Sequence, residues 1–394
     1  MNNFWRKTAD EARKKNEPIF ILAPMEAVTD VVFRETVAHA GVIAARDNGG
    51  KISENIPDVM MTEFTNTKSF CMEKGEFSTR GRLVFEKDEN ENGRNLVVQI
   101  WGNEPENFRE MSRKMFEKGF SGVDVNMGCP DKSVVKTGAG SGLINPKNRE
   151  NAIKILRETQ NGFYDFVREN AGDFANKLNI DGDEFVGLSD NEIRKILPPT
   201  EIPVSVKTRL GSVKAGEFSE WLPVLFRENP ANLTIHLRSR KEMSKVPAHF
   251  DLIPEISKIR DEISPRTLLT INGDILDKSA GILLAKKYPE IDGVMIGRGI
   301  FNNPFAFTNL LEPSREQLFE LLRFQLDKYD EFREITEWKG KIITRKFEPL
   351  KHFFKIYTNG FDGAKKLREI MMAAKTTGEV REIMDEFEKN NRGL

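Results

Sequence analysis

Gly122-Val-Asp-Val-Asn-Met-Gly-Cys-Pro130 reads as a buried strand running into a tight, glycine-broken turn. Val123 and Val125 are the β-branched apolar positions, and Asp124 and Asn126 alternate with them. Gly128 permits a backbone shape that other residues resist. Pro130 then stops any return to a ladder. The stretch sets one thiol, Cys129, just past the C-terminal end of a strand, and a Gly-rich run, Gly138-Ala-Gly-Ser-Gly142, follows it. Taken alone, a single Cys in a turn is ordinarily a small buried hydrophobe. Its meaning depends on what stands at the ends of the other strands.

Working outward, short apolar runs recur along the chain: Ile19–Ala23, Val59–Met61, Leu96–Trp101, Val123–Val125, Val204–Val206, Leu233–His236, Leu268–Ile271 and Gly293–Ile296. Amphipathic segments separate them, at Pro105–Lys118, Arg149–Thr159, Phe218–Glu228, Leu252–Ile259 and Ser279–Lys287. A further helical pattern runs from Asp30, a candidate N-cap, to Ala40. Such alternation implies parallel strands joined by right-handed crossovers. Eight repeats over residues 19–310 predict an α/β fold, a (β/α)8 TIM barrel. The competing doubly wound sheet usually carries GxGxxG after its first strand, whereas here Pro24-Met-Glu-Ala-Val28 follows.

Three segments lie outside the repeat. Residues 1–18 predict a helical extension, with Phe4, Trp5 and Ala9 on one side, capping the bottom of the barrel. Residues 160–200 read as a helical insertion: Phe163, Phe166, Val167, Phe174 and Leu178 keep helical spacing, Asp181–Glu184 is acidic, and Ser189 with Glu192 forms a capping box. After about residue 310 no strand signal remains, and residues 311–394 predict a C-terminal helical bundle domain. The chain's 394 residues suit one large domain plus a smaller one.

Composition excludes several classes. The chain is 39% hydrophobic and 31% charged, which is globular. A formal net charge of -1 gives no global attraction for nucleic acid, so a polyanion site would be a local patch. Cys71 and Cys129 make neither a disulfide framework nor a zinc set, and no metal is expected. A reducing, cytoplasmic setting follows. No apolar run reaches bilayer length, and no protein partner is signalled.

In this fold the reacting groups lie at the C-terminal ends of the strands. Those positions hold Pro24-Met25, Gln99, Asn126 with Cys129, Lys207 with Arg209, His236, Asn272-Gly-Asp274 and Gly297-Arg-Gly299. Singly, each suits strand-end hydrogen bonding or solvation. Together, at the same end of successive strands, they mark a site. Loops after the last two strands commonly hold phosphate. Gly273 and Gly297 admit close approach and Arg298 adds charge. Lys207 and Gln99 are placed to meet a flavin's ring edge.

The segments Ala23–Asp30 with Phe33-Arg34, Thr62-Glu63, Val98–Gly102, Asp124–Pro130, Gly138-Ala-Gly140, Pro203–Gly211, Ile235-His236 with Arg238–Arg240, Asn272–Asp274 and Gly297–Gly299 follow one another in the order of a known family. The chain resembles the tRNA-dihydrouridine synthases, which use FMN. The resemblance covers nearly all of residues 19–385. It implies FMN contacts at Pro24, Met25, Glu26, Gln99, Lys207, His236, Asn272, Gly273, Asp274, Gly297 and Arg298. It implies Cys129 as proton donor, Asn126 against the uracil, Arg209 and Arg240 on the substrate side, and NADPH as electron donor. Leu237 stands where the family usually has Gly, and the 160–200 segment departs as an insertion.

The implied chemistry is reduction of the uridine C5=C6 bond in tRNA, with hydride to C6 and a proton to C5. A thiol with a pKa of ~8.5 is mostly protonated at neutral pH and can act as the acid. The base must be turned out of its stack. Lys132 and Lys136 lie on the thiol's loop, where RNA phosphate can reach them, and Gly138–Gly142 reads as that loop's flexible half. The tail carries Lys339, Lys341, Arg345, Lys346, Lys351, Lys355, Lys365, Lys366 and Arg368 against Glu348 and Asp362, which predicts an RNA footprint. Two other readings stand beside this one. The first is a flavin barrel acting on a free pyrimidine or enone, and the second is a non-catalytic RNA-binding protein.

Overall fold

The computed structural model describes residues 3–86, 89, 94–170, 187–338 and 341–390. Eight parallel strands form the barrel: β1 (Ile19–Leu22), β2 (Val59–Met61), β3 (Asn95–Trp101), β4 (Gly122–Met127), β5 (Val204–Arg209), β6 (Asn232–His236), β7 (Leu268–Asn272) and β8 (Gly293–Ile296). Each pairs with the next, and β1 pairs with β8 at Ile19↔Gly293 through Leu22↔Ile296, which closes the ring. Each apolar run found in the sequence is a barrel strand. Closure leaves no open edge, so a doubly wound sheet is ruled out.

Helices surround the barrel: α1 (Phe4–Lys15), α2 (Val31–Asn48), α3 (Pro105–Glu117), α4 (Arg149–Glu169), α5 (Asp190–Ile196), α6 (Phe218–Phe226), α7 (Ile253–Ile263) and α8 (Lys278–Lys287). Asp30 caps α2 as expected, its Oδ1 accepting from Phe33 N at 3.0 Å. No described helix is long and apolar enough to cross a membrane.

Alternation along the strands splits the core in two. Outward-facing Val123, Val125 and Met127 pack under the helices. Inward-facing Ile19, Ile21, Val59, Met61, Val97, Leu268 and Met295 fill the lumen together with Trp5, Ala9 and Ala12 of α1. That helix therefore plugs one end of the barrel. Higher in the lumen, Asp124, Asn126, Lys207, His236 and Asn272 replace the aliphatics, so one barrel has an apolar base and a polar mouth.

The two described ends of the 160–200 segment are helical. Phe163, Phe166 and Val167 extend α4 to Glu169. The Ser189–Glu192 capping box starts α5 as expected. Phe174, Leu178 and Asp181–Glu184 lie outside the described residues.

Beyond the barrel lie α9 (Arg315–Glu331), the antiparallel strands β9 (Glu334–Trp338) and β10 (Lys341–Thr344), α10 (Ala364–Ala373) and α11 (Thr377–Asn390). The strand pair corrects the expectation of a purely helical tail. Ile335, Ile342 and Ile343 are β-branched, and Gly81 leaves room for Ile335, whose Cγ2 lies 3.4 Å from where a Cβ on that glycine would stand. The tail is fastened to the barrel. His39 of α2 stacks on Phe324 of α9 with ring centroids 3.8 Å apart. Arg345 Nη1 donates to Asp30 Oδ2 at 2.6 Å.

Candidate active site

The polar mouth is built around one hydrogen-bonded chain whose direction is fixed by chemistry. Asp124 is fully buried on β4, and a carboxylate can only accept. Ser205 Oγ donates to its Oδ1 and Gln99 Nε2 to its Oδ2, both at 2.7 Å. Gln99 must then turn its oxygen the other way, where Oε1 accepts from Asn126 Nδ2 at 2.8 Å. Asn126 in turn presents Oδ1 to the backbone N–H groups of Gly128 at 3.0 Å and Cys129 at 2.9 Å. A buried acid two residues before Asn126 on β4, acting through Gln99 of β3, thus sets the turn that carries the thiol. Burial pushes the Asp124 carboxyl up to about 6, against the Gln99 and Ser205 hydrogen bonds and the Lys207 charge.

The far side of the thiol turn is held as firmly. Ser141 donates twice to the Cys129 carbonyl, from N at 3.0 Å and Oγ at 2.8 Å. Gly140, Ser141 and Gly142 are buried in a tight 3-10 turn, Gly140–Ile144. This corrects the reading of Gly138–Gly142 as a flexible half-loop: the glycines are there for close approach. Gly140 has φ +55°, and a Cβ on it would stand 2.8 Å from Val134 Cγ1 and 3.2 Å from Cys129 Cβ. Gly140→Ala is therefore expected to push the thiol out of place. Any turnover that depends on the thiol should fall at least ~10-fold. An unchanged rate at unchanged melting temperature would show that the thiol turn tolerates displacement.

Cys129 is half-buried. Burial pushes its thiol up, against the N–H of Asp131 and the charge of Arg209. That favours a protonated sulfur, the state of an acid and not of a nucleophile.

Around the mouth, Lys207 donates from Nζ to Asn272 Oδ1 at 3.1 Å, and Asn272 donates from Nδ2 to Met295 O at 2.8 Å. Burial and then Arg209 bring Lys207 down to about 8, against Asp124 and Cys129. His236 lies well below its usual value, through burial and then Arg209, Lys207, Arg238 and Arg298. Asp274 has φ +52° and Gly273 φ +116°, so the loop after β7 needs its glycine. Arg298 is exposed on the rim, 3.9 Å from Asp274. The loops after β1 and β8 meet, since a Cβ on Gly297 would stand 3.4 Å from Ala23 Cβ and 3.7 Å from Met25 Sδ. Met25 is fixed by Thr29, whose Oγ1 accepts from Met25 N at 3.0 Å.

The predicted residues do not all gather here. Pro24, Met25, Asn126, Cys129, Lys207, His236, Asn272, Gly273, Asp274, Gly297 and Arg298 share the mouth. Gln99 lies beneath it, fully buried and bound to Asp124 and Asn126. Glu26 sits on the rim with its carboxylate paired to Arg82. Arg209 is buried and turned onto backbone carbonyls. Arg240 Nε is buried without a partner among the described residues, and its backbone N–H donates to Gly211 O at 2.8 Å. Lys132 and Lys136 are exposed on the short helix after Cys129. Lys365 and Lys366 stand on α10, outside the mouth. In the tail, Arg345 is spent on Asp30 and Lys351 on Glu348, while Lys346 and Lys355 are exposed. Lys339 lies outside the described residues.

One residue was quoted in the sequence reading but given no role. Arg238 is buried, ion-paired with Asp274, and its Nη1 has no partner among the described residues. It stands two residues past the strand-end His, in Arg238-Ser-Arg240, a triplet indistinguishable by composition from a solvated loop. Leu237, the departure from the expected Gly, costs the strand nothing: its side chain joins the outer core and its N–H bonds Asn272 O at 3.0 Å.

A closed parallel barrel with a thiol turn on β4 and cationic loops after β5 to β8 defines an α/β-barrel family with one reactive mouth. The family model described as dihydrouridine synthase (Dus) matches residues 21–163 and 190–392. The chain belongs to the dihydrouridine synthase family. It is 45% identical over 388 residues to "Probable tRNA-dihydrouridine synthase 2" of Bacillus subtilis (strain 168), covering 98% of this chain and 97% of that one. It is 44% identical over 387 residues to "Probable tRNA-dihydrouridine synthase" of Staphylococcus aureus (strain Mu50 / ATCC 700699), covering 98% and 96%. Among solved structures, a variant of NCR from Zymomonas mobilis aligns with a TM-score of 0.41 at 14% identity, over 73% of this chain and 83% of that one, a likeness too distant to bear on function.

Proposed function

We propose that the chain reduces the C5=C6 bond of uridines in tRNA to 5,6-dihydrouridine, with FMN as resident cofactor and Cys129 as the acid. The observation that carries this reading is the mouth itself. A thiol kept protonated by burial stands on one side, and a glycine-lined rim with unused cationic donors stands on the other. The names carried by the full-length relatives agree with it.

The residues suit FMN. Where Gly273 lacks a side chain, His236 Nε2 and the unpartnered Arg238 Nη1 converge, each 3.5 Å from the position of a Cβ. With Gly297 and Arg298 they would take the phosphate, and Lys207 with Asn272 would meet the ring. Bound there and reduced by NADPH, FMN would supply the hydride chemistry at C6. The chain's own residues do the rest. Asn126, its oxygen already committed to the turn, has an Nδ2 hydrogen left for the uracil. Cys129 delivers the proton to C5 and is reprotonated from solvent. The Lys207 ammonium balances negative charge beside it.

The test is direct. The purified chain, supplied with NADPH and unmodified tRNA, should be yellow and should form dihydrouridine at defined positions. The same positions should lack it in cells without the gene. A colourless chain, or reduction of free uridine at the same rate as tRNA, would overturn the proposal.

A pH profile probes Lys207. Its depressed value means that the cation is lost as pH rises through about 8, before the raised thiol of Cys129 ionises. Turnover should fall along that limb. Asp124 raises the Lys207 value, so Asp124→Asn should move the limb to lower pH. A limb that stays put would remove Lys207 from the reaction.

The RNA surface is assigned to the tail. Lys365 and Lys366 occupy the first turn of α10, where cations oppose the helix dipole. A bound polyanion offsets that local cost. Lys365→Glu with Lys366→Glu is expected to raise KM for tRNA about 10-fold, and to flatten the salt dependence by about 2 counterions. Flavin content should not change. An unaltered salt slope would place the RNA elsewhere.

A further inference from the structure

Arg209 touches both halves of the mouth. Its Nε donates to Gly128 O at 2.9 Å, the carbonyl immediately before Cys129. Its Nη1 reaches Ser239 O at 3.3 Å, Met243 O at 3.1 Å and His236 Nδ1 at 3.3 Å. Strand register puts Arg209 directly beside His236. The guanidinium is therefore locked between the loop of the thiol and the strand that carries the imidazole.

Nη1 shares its two hydrogens among these three acceptors, and toward His236 it can only donate. A guanidinium has five donors and no acceptor. Nδ1 must accept, so the ring proton resides on Nε2. That nitrogen is the one facing the gap at Gly273, 3.5 Å from where a Cβ would stand, next to the unpartnered Nη1 of Arg238. Burial and the surrounding cations keep the ring neutral. A neutral imidazole with the opposite tautomer would turn a lone pair toward the gap and repel an anion there.

We propose that Arg209 is a positioning residue that joins the anion rim to the thiol turn, fixing His236 as the Nε2–H tautomer that donates to a phosphate and fixing Gly128 beside Cys129. The phosphate half rests on the cofactor reading above. The tautomer itself does not.

The test uses the full chain stripped of cofactor and labelled with 15N-histidine, with His236→Gln identifying the signals of that ring. Long-range 1H–15N spectra at neutral pH are expected to show His236 protonated on Nε2. Arg209→Met should shift it to a mixture of tautomers, and Arg209→Lys, which keeps a donor, should restore the single form. Inorganic phosphate should bind Arg209→Met at least 10-fold more weakly. In a Cys71→Ser background, alkylation of Cys129 by iodoacetamide, followed against pH and compared at equal thiolate fraction because Arg209 also favours the thiolate, should accelerate several-fold in Arg209→Met. A wild-type His236 protonated on Nδ1 overturns the proposal without any variant. So does a folded Arg209→Met chain that keeps the Nε2–H form, or one whose Cys129 thiolate reacts at the wild-type rate. If the tautomer behaves as stated but phosphate does not bind the wild-type chain, the cofactor reading fails and the role of Arg209 stands.

Discussion

Cys129→Ala is expected to keep its flavin and its melting temperature while losing roughly 10²–10⁴-fold in turnover. The reason lies in how the turn is held. The bonds that shape it run through backbone or through other side chains: Asn126 Oδ1 takes the two N–H groups, Ser141 holds the carbonyl, and Arg209 holds Gly128, while the sulfur itself meets the Asp131 N–H. Removing the sulfur leaves all of these in place. The change deletes a proton and little else, so it separates chemistry from architecture. Flavin absorbance per chain and single-turnover reduction of unmodified tRNA are the two measurements. A wild-type rate would sink the assignment of the acid. A colourless variant would instead put Cys129 among the groups that hold the cofactor.

The second large effect is on stability. Arg34 of α2 and Glu89 are both 0% exposed, and they are paired there. Arg34 also donates from Nη1 to Thr29 O at 2.8 Å and from Nη2 to Val84 O at 2.9 Å, so it fastens the loop after β1 to the segment that precedes β3. Arg34→Met keeps much of the volume but strands the Glu89 carboxylate away from water. Breaking one partner of such a pair costs about 3–5 kcal/mol. Thermal unfolding should drop by roughly 5–10 °C. Adding Glu89→Leu should return a large part of the loss, because replacing both charges is far cheaper than orphaning one. A single variant as stable as the wild type would mean that water reaches Glu89.

Much of this was legible in the sequence because the barrel writes itself in runs of β-branched and aliphatic residues. Val204–Val206 or Gly293–Ile296 has few other readings once seven similar segments flank it. The thiol turn was legible for a similar reason, since Gly128 and Pro130 punctuate it. What stayed hidden depends on three-dimensional neighbours. The alternation of Asp124 with valines marks a strand, but nothing local says that its carboxylate orients Gln99 and Asn126. Arg238 looks like any charged residue near a strand end until burial removes solvent as a partner, and the contacts that turn Arg209 inward onto Gly128 and His236 are invisible in its sequence. Gly138–Gly142 invited a flexible reading because glycine count was weighed without the crowding by Val134 and Cys129. The β9–β10 pair was within reach: Ile335, Ile342 and Ile343 flank Lys339-Gly340, a β-branched pattern around a glycine, which the surrounding helical periodicity masked.

Barrel closure also has a timetable. The pairing of β1 with β8 joins residues near the two ends of the barrel sequence, and synthesis at ~5–20 residues per second separates them by roughly 15–55 s. Throughout that interval Ile19–Leu22 has one edge with no neighbour, and Ala23 and Met25 wait for a rim that has yet to be translated. The mouth is the last part of the barrel to exist. Whatever ligand it takes is acquired by a finished barrel, and until then the first strand keeps an edge free to pair elsewhere.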